Sequence, residues 1–263
     1  MNEMIRRAVS DLRAGKFVLI FDAEGREEET DLTIASEFAT PKAIRTMRRD
    51  GGGLICTTVE QGAAEKLGLP FLTDIYAGGA SRFPVLSALV PDDIPYDNKS
   101  AFSLTINHRR TFTGITDKDR ALTISEFAAL CRSASNGMSS ADALRLFGDA
   151  FRCPGHVHLL RASEHLLQKR FGHTELSTAL VTMAGLIPSA TICEMMNGPS
   201  GKCMPKEKAR KYAKKHDLTF LEGREVISAW KEYGNNVECR LSNVECGVRN
   251  KSTISNLKSK FKK

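Results

Sequence analysis

Phe17-Val18-Leu19-Ile20-Phe21, followed without a break by Asp22-Ala23-Glu24-Gly25-Arg26-Glu27-Glu28-Glu29-Thr30-Asp31, is the stretch on which the reading of this 263-residue chain turns. Five apolar residues bounded by charge have the pattern of a buried strand, and a loop leaving such a strand is held rigidly at one side of its sheet. That loop packs six carboxylates and one arginine into ten residues. Crowded carboxylates raise one another's pKa values unless a cation sits among them. A hard divalent metal such as Mg²⁺ suits the place, because it takes oxygen ligands and is often held by one or two carboxylates. A solvated acidic turn is the competing reading, and residues elsewhere must decide.

Upstream, Asn2 to Ala14 places Ile5, Ala8, Val9 and Leu12 at helical spacing and stops at Gly15, which predicts an amphipathic helix leading into the strand. Downstream, Leu32 to Phe38 reads as a second strand, and Thr40-Pro41 supplies a cap and first-turn proline for a helix through Arg49. Gly51-Gly52-Gly53 lets the backbone come close to something just before the strand Leu54 to Val59. Cys56 on that strand is either a small buried hydrophobe or an active-site thiol. Residues 60–100 read as a short helix ending at Gly68 and then long surface loops, before a strand at Ser103 to Asn107 and a loop at Phe112 to Asp117. Thr123-Ile124-Ser125-Glu126 has the capping-box pattern and predicts a helix from there through Cys131, with a flexible connection at Ser133 to Ser140.

The second half carries more chemistry. Pro154-Gly155 predicts a turn into a strand whose His156 and His158 share a face, a spacing used by zinc sites and equally compatible with structural or substrate roles. A helix from Ser163 to Arg170 and a second from Thr174, as N-cap, to Gly185 bring Arg170 and free helix N–H groups together as a cradle for an anion, or else form a plain surface cap. The strand Ser189 to Glu194 closes on a carboxylate placed for acid/base work. A basic helix at Pro205 to His216, a strand at Leu218 to Leu221 and a helix from Gly223 to Tyr233 follow. Interleaved strands and helices without a repeat predict a single α+β domain of the α/β three-layer type, a mixed sheet flanked by helices over 1–233.

Composition narrows the function classes. With 41% hydrophobic residues and no apolar run near the length of a membrane span or signal peptide, a cytoplasmic protein with no membrane partner is expected. Seven cysteines without a CxxC pair indicate reduced thiols rather than a disulfide framework. The formal charge of +7 arises at one end: residues 202–263 carry 16 basic and 7 acidic side chains, and the remainder is slightly acidic. That distribution fits a basic, disordered tail over 234–263 and argues against specific nucleic-acid recognition.

Arg26-Glu27-Glu28-Glu29-Thr30-Asp31, Pro154-Gly155-His156-Val157, Arg170-Phe171-Gly172-His173-Thr174-Glu175 and Cys193-Glu194 stand in the order and spacing of one family's motifs. They resemble the Arg-Glu-x-Glu-x-Asp, Pro-Gly-His, Arg-x-Gly-His-Thr-Glu and Cys-Glu patterns of 3,4-dihydroxy-2-butanone 4-phosphate synthase, and similarity extends from about Ile5 to Tyr233. Gly51 to Cys56, Asp92 to Tyr96 and Phe112 to Asp117 take part in it. The resemblance is to the monofunctional branch, since the residues after 233 are too few and too polar for a cyclohydrolase-like domain.

What the resemblance implies is a lyase of riboflavin biosynthesis that turns D-ribulose 5-phosphate into L-3,4-dihydroxy-2-butanone 4-phosphate and formate. Glu27 and His173 would hold Mg²⁺ or Mn²⁺, with two ions bridged by Glu27. Arg26, Glu27, Asp31, Arg170, Phe171, Gly172, His173, Thr174 and Glu194 would contact substrate, and His156 and Glu194 would be the essential acid/base residues. Cys56, Thr113 and Glu29 are further candidates. Family members are homodimers with active sites at the interface, so some of these residues would serve the neighbour's site. Glu28 stands where the family usually has a small or amide residue and is expected to face solvent; Asp22 and Glu24 are read as ordinary solvated charges. A zinc hydrolase built on His156, His158 and a carboxylate, and a module binding nucleic acid or anionic surfaces through the tail, are the competing readings.

Overall fold

The computed structural model describes residues 1–97 and 99–235, and in it the apolar runs assemble into one seven-stranded mixed sheet within a single domain. The helix α1 (Glu3–Arg13) leads into β1 (Val18–Phe21) and β2 (Thr30–Ala35), and α2 (Pro41–Thr46) leads to β3 (Cys56–Val59). Three short helices, α3 (Gln61–Lys66), α4 (Leu72–Gly79) and α5 (Val85–Ala88), precede β4 (Phe102–His108), α6 (Asp117–Ser135), α7 (Ser140–Ala150) and β5 (Phe151–Arg161). The chain then forms α8 (His173–Met183), β6 (Ala190–Glu194), the small hairpin β7 (Met196–Asn197) and β8 (Lys202–Cys203), α9 (Lys206–Lys215), β9 (Thr219–Glu222) and a last helix, α10, over 223–235. The strand order is β4-β5-β3-β6-β2-β1-β9. Only β3/β5 and β1/β9 pair in parallel; the neighbours between and beside them are antiparallel.

Strand alternation sends side chains to two covered faces, which is why the central strands read as continuous apolar runs. Val18 and Ile20 of β1 pack with Cys56, Leu160 and Ile192 beneath α1, α8 and α10. On the opposite face Ile34, Val59, Ile106 and Leu159 pack beneath α2, α3, α6 and α7, while Leu19, Phe21 and Leu32 pack beneath α9. A line of buried hydroxyls crosses the middle of this apolar body. Ser36 Oγ lies 2.9 Å from Thr191 Oγ1 and accepts from Ser189 Oγ at 3.0 Å, and Thr178 Oγ1 donates to Thr58 Oγ1 at 2.8 Å. Among the described residues no helix is long and apolar enough to cross a membrane.

Several boundaries differ from the sequence reading, each for a local reason. The long helix α6 starts at Asp117, capped by Thr116 and not by Thr123. Thr123 sits inside the helix, and its hydroxyl accepts from the backbone N–H of His108 on β4 at 3.0 Å, so the capping-box pattern there serves a tertiary contact. The stretch 133–140 is largely helix end and cap: α6 continues to Ser135, and Ser139 caps α7, a helix not anticipated from the sequence. Residues 60–100 hold α4 and α5 as well as loops. Pro154-Gly155 lies within β5 and makes no separate turn. The helix expected over Ser163 to Arg170 shrinks to a single 3₁₀ turn at Leu166–Gln168, because His165 and Leu166 take positive φ angles of 60° and 46° that break an α-helix. Gly172, not Thr174, caps α8. The tail over 234–263 lies outside the described residues from position 236 onward.

Phe127 of α6 is fully buried against the rings of Phe147 and Phe151, each 6.1 Å away between centroids. Phe127→Ala should lower unfolding free energy by roughly 3–5 kcal/mol, read from the urea midpoint at unchanged slope. An unaltered midpoint would mean that α6 and α7 do not share a cooperative core with the sheet.

Candidate active site

The antiparallel register of β2 and β6 sets Asp31 directly opposite Glu194, so two carboxylates stand side by side on the face that α8 covers. Asp31 is 1% exposed. Glu194 is fixed by the glycine run before β3. Gly53 donates its N–H to the Glu194 carbonyl at 3.1 Å, and the Leu54 N–H donates to Glu194 Oε2 at 2.7 Å. A Cβ at Gly53 would lie 2.3 Å from Glu194 Oε2, so the close approach read from the glycine cluster is made to this carboxylate.

The acidic loop is ordered by the residue that the sequence reading set aside. Asp22, at the end of β1, is buried and accepts hydrogen bonds from the N–H groups of Glu27 at 3.0 Å and Glu29 at 3.2 Å and from Arg26 Nη1 at 3.0 Å. It is the loop's organiser, not a solvated charge. A signal for this exists in the sequence: an aspartate directly after a buried strand is well placed to cap the turn that follows. Glu24 is exposed and pairs with Lys206, and Glu28 is exposed as expected, its Oε1 accepting from the Gly25 N–H at 2.8 Å.

With the loop so held, Glu27 Oε2 lies 3.2 Å from His173 Nδ1 and 2.8 Å from Arg26 Nη1. Glu27, Glu29, Asp31, Cys56, Arg170, His173, Thr174 and Glu194 all line one cavity of about 350 Å³. Arg26 and Phe171 border a depression beside it that shares Tyr96, Asp97 and Arg170 with the cavity, and Phe171 is turned outward and exposed. Tyr96, Asp97 and Glu175 belong to this constellation and were not named as candidates. Asp97 accepts from both Arg26 and Arg170, and buried Glu175 pairs with Arg170 Nη1 at 2.6 Å while capping the Ser163 N–H at 2.9 Å.

His156 and Thr113 do not line the cavity. Both are exposed, and they meet at Asn107 of β4, whose amide lies 3.1 Å from His156 Nδ1 and 3.3 Å from the Thr113 carbonyl oxygen. Flanking Thr113, Phe112 and Ile115 are 95% and 50% exposed.

The donor set fits a hard divalent cation. Asp22, Glu27 and His173 offer ligand atoms that all lie within 4.8 Å of one another, and His156 and His158 belong to no such group among the described residues. His173 Nε2 and Asp31 Oδ1 are buried 3.8 Å apart, and neither has a hydrogen-bond partner among the described residues. Electrostatics point the same way. Burial pushes Asp31 well above the usual carboxylate range and also raises Glu194, while neighbouring carboxylates add to both shifts. Burial alone would lift Glu27, but the hydrogen bond to His173 and the charge of Arg26 bring it down to about 2. Burial alone would lower His173, but Asp31 and the bond to Glu27 raise it to about 9. The cluster thus keeps one proton where carboxylate and imidazole ligands would otherwise face a metal. Cys56 is buried and its thiol is pushed well up, first by burial, so it is a hydrophobic wall rather than a thiolate.

The sequence pattern of 3,4-dihydroxy-2-butanone 4-phosphate synthase matches residues 6–229. The chain belongs to this synthase family. A relative of that name from Methanothermobacter thermautotrophicus is 52% identical over 88% of this chain and 97% of its own length. Among solved structures, the Candida albicans synthase is 30% identical with a TM-score of 0.63, covering 86% of this chain and 96% of that one. A synthase solved in complex with two magnesium ions is 25% identical with a TM-score of 0.67, covering 87% and 96%. The family membership and the seven-stranded fold agree with the resemblance read from the motifs.

A cation bound at Glu27 and His173 must take the place of the His173 proton. Mg²⁺ affinity measured by calorimetry should therefore rise with pH and level off above about 9, with proton release per ion approaching one below that value. By the same linkage the protonated imidazole stabilises the metal-free fold fully below pH 6.5, the ordinary histidine value, and that contribution is lost as pH rises through about 9. Affinity that ignores pH would remove His173 from the ligand set.

Proposed function

We propose that this chain converts D-ribulose 5-phosphate into L-3,4-dihydroxy-2-butanone 4-phosphate and formate, as a Mg²⁺-dependent lyase of riboflavin biosynthesis in the cytoplasm. The observation that carries this reading is that one cavity is lined both by carboxylates with His173 and by Arg170 with Thr174 in the first turn of α8. A sugar phosphate needs both, a chelating set for its hydroxyls and ketone and a cationic set for its dianion.

Glu27 and His173 would hold the metal, with Asp22 behind them, and two ions per site are in keeping with the relative that carries two magnesium ions. When bound, Mg²⁺ or Mn²⁺ supplies Lewis-acid polarisation of the vicinal sugar oxygens. Arg26, Arg170 and the backbone N–H groups at His173 and Thr174 receive the phosphate. Glu194, raised by burial yet held by the Leu54 N–H, is poised to take the proton from the carbon beside the ketone and later return it. Asp31 and Glu29 face the same substrate region.

His156 and Thr113 complete a neighbour's site in a homodimer. In support, they sit together on the surface through Asn107, and the exposed Phe112 and Ile115 beside them are apolar area suited to an interface. Residues 1–233 form the catalytic unit, whose last helix runs on to 235, and the basic tail beyond it lies outside.

Formate release from ribulose 5-phosphate, with Mg²⁺ and with a chelator, tests the reaction directly; tightly bound zinc with no Mg²⁺-dependent formate would overturn it. Glu27→Gln should reduce formate release at least about a hundredfold in a protein that still folds. His156→Asn should abolish turnover while the variant still binds ribulose 5-phosphate in a calorimeter. Unaltered turnover would remove His156 from the chemistry.

A further inference from the structure

Asp97 lies on the segment between α5 and β4, and a single oxygen of it, Oδ2, bridges two guanidinium groups from distant parts of the chain. It accepts from Arg26 Nη2 at 3.1 Å and from Arg170 Nε at 2.5 Å. Each arginine has other carboxylate partners. Asp22 and Glu27 lie 3.0 and 2.8 Å from Arg26 Nη1, and Glu175, whose side chain is fully buried, holds Arg170 Nη1 at 2.6 Å. Both guanidinium groups are therefore oriented without help from Asp97.

The two groups converge over Gly172. A Cβ there would stand 2.5 Å from Arg170 Nη1 and 2.6 Å from Arg26 Nη2, so no side chain fits beneath the pair. Gly172 is also the N-cap of the 11-residue α8, and no side chain caps that terminus. Two converging guanidinium groups beside an uncapped helix start make a seat for an anion. The carboxylate that faces the pair from outside the helix and the acidic loop is Asp97.

We propose that Asp97 determines specificity by holding the arginine pair as an internal anion and yielding it to the phosphate of the substrate. This rests on the reading of Arg26 and Arg170 as the phosphate end of a sugar-phosphate site. A phosphate group carries more charge than a carboxylate and offers three acceptor oxygens, so it can displace Asp97 where a neutral sugar or a weakly charged acid cannot. Displacement is also felt by the cavity. Ile94 and Tyr96, on the same short segment, line its wall, and the Tyr96 ring lies 5.4 Å from the Arg26 guanidinium carbon. Phosphate occupancy and the placement of this wall are thereby linked.

The opposite role, in which Asp97 prepares the arginines for phosphate, makes the opposite prediction. Asp97→Asn keeps the size of the side chain and removes its charge. Inorganic phosphate titrated into the full-length protein, in a buffer without competing anions, should bind on the order of tenfold more tightly to Asp97→Asn than to the unaltered chain. Asp97→Glu should return the affinity toward its original value, and Asp97→Ser serves in place of the asparagine variant if that one fails to fold. Weaker or unchanged phosphate binding in the charge-removed variants would overturn the proposal. Steady-state formate release adds a second readout: KM for ribulose 5-phosphate should fall in Asp97→Asn, and a fall in kcat with raised KM would make Asp97 a preparing residue instead. The formate assay on the unaltered chain separates the two levels of the reading. Tighter phosphate binding without formate release would keep the exchange at the arginine pair and remove the sugar substrate.

Discussion

The carboxylate of Asp22 is the interaction on which the site depends. It ends a buried strand, and from there it receives two backbone N–H groups and one guanidinium from the loop that follows. A loop with six acidic residues would otherwise spread into solvent by mutual repulsion. Capped by Asp22, it turns Glu27 toward His173 and Arg26 toward Gly172, so that opposite charges from one loop meet different neighbours at one site. Charges usually bought with binding energy at the moment of catalysis are here placed during folding.

The second constraint is charge balance in a small buried volume. Asp31 and Glu194 come from adjacent strands, Glu27 and Glu29 from the loop, and His173 from the first turn of α8. No single element could assemble this set, because a helix or strand carrying it would repel itself. Three elements that fold for other reasons, through apolar contacts on both faces of the sheet, supply the energy that holds the carboxylates together. The arginine pair is built with the opposite logic, each guanidinium being surrounded by more carboxylates than it needs.

Much of this was legible in the sequence, and the parts that were not have identifiable causes. The strands β1, β3 and β6 and the helix α1 are continuous patterns that burial on fixed faces dictates, so their positions could be read locally. The acidic loop, the glycine run, and the Arg170 to Glu175 turn announced chemistry through residue types that structure alone rarely requires. Thr123 misled because a capping-box pattern is a statement about backbone donors, and here those donors already lay within α6 while the hydroxyl served β4. Asp22 was lost because its role is defined by the burial of neighbouring backbone N–H groups, which composition does not reveal. Asp97 acts on arginines 71 and 73 residues away, and pairing across such distances belongs to topology. The separation of His156 and Thr113 from the cavity is a property of the surface, invisible to any reading that treats motifs as members of one list.

The buried hydroxyls that cross the sheet have a consequence for accuracy. Apolar strands are nearly indifferent to sliding by two residues, since each slipped side chain finds another apolar neighbour on the same face. Ser36, Thr58, Ser189 and Thr191 remove that indifference, because their mutual contacts hold only in the native alignment and a stranded hydroxyl costs about 1–3 kcal/mol. A slip of β6 against β2 would also part Asp31 from Glu194, which lies only three residues along β6 from Thr191 of the hydroxyl line. The polar thread in the core thus works as a vernier: it spends little stability and sets the spacing of the paired carboxylates from within the protein's driest region.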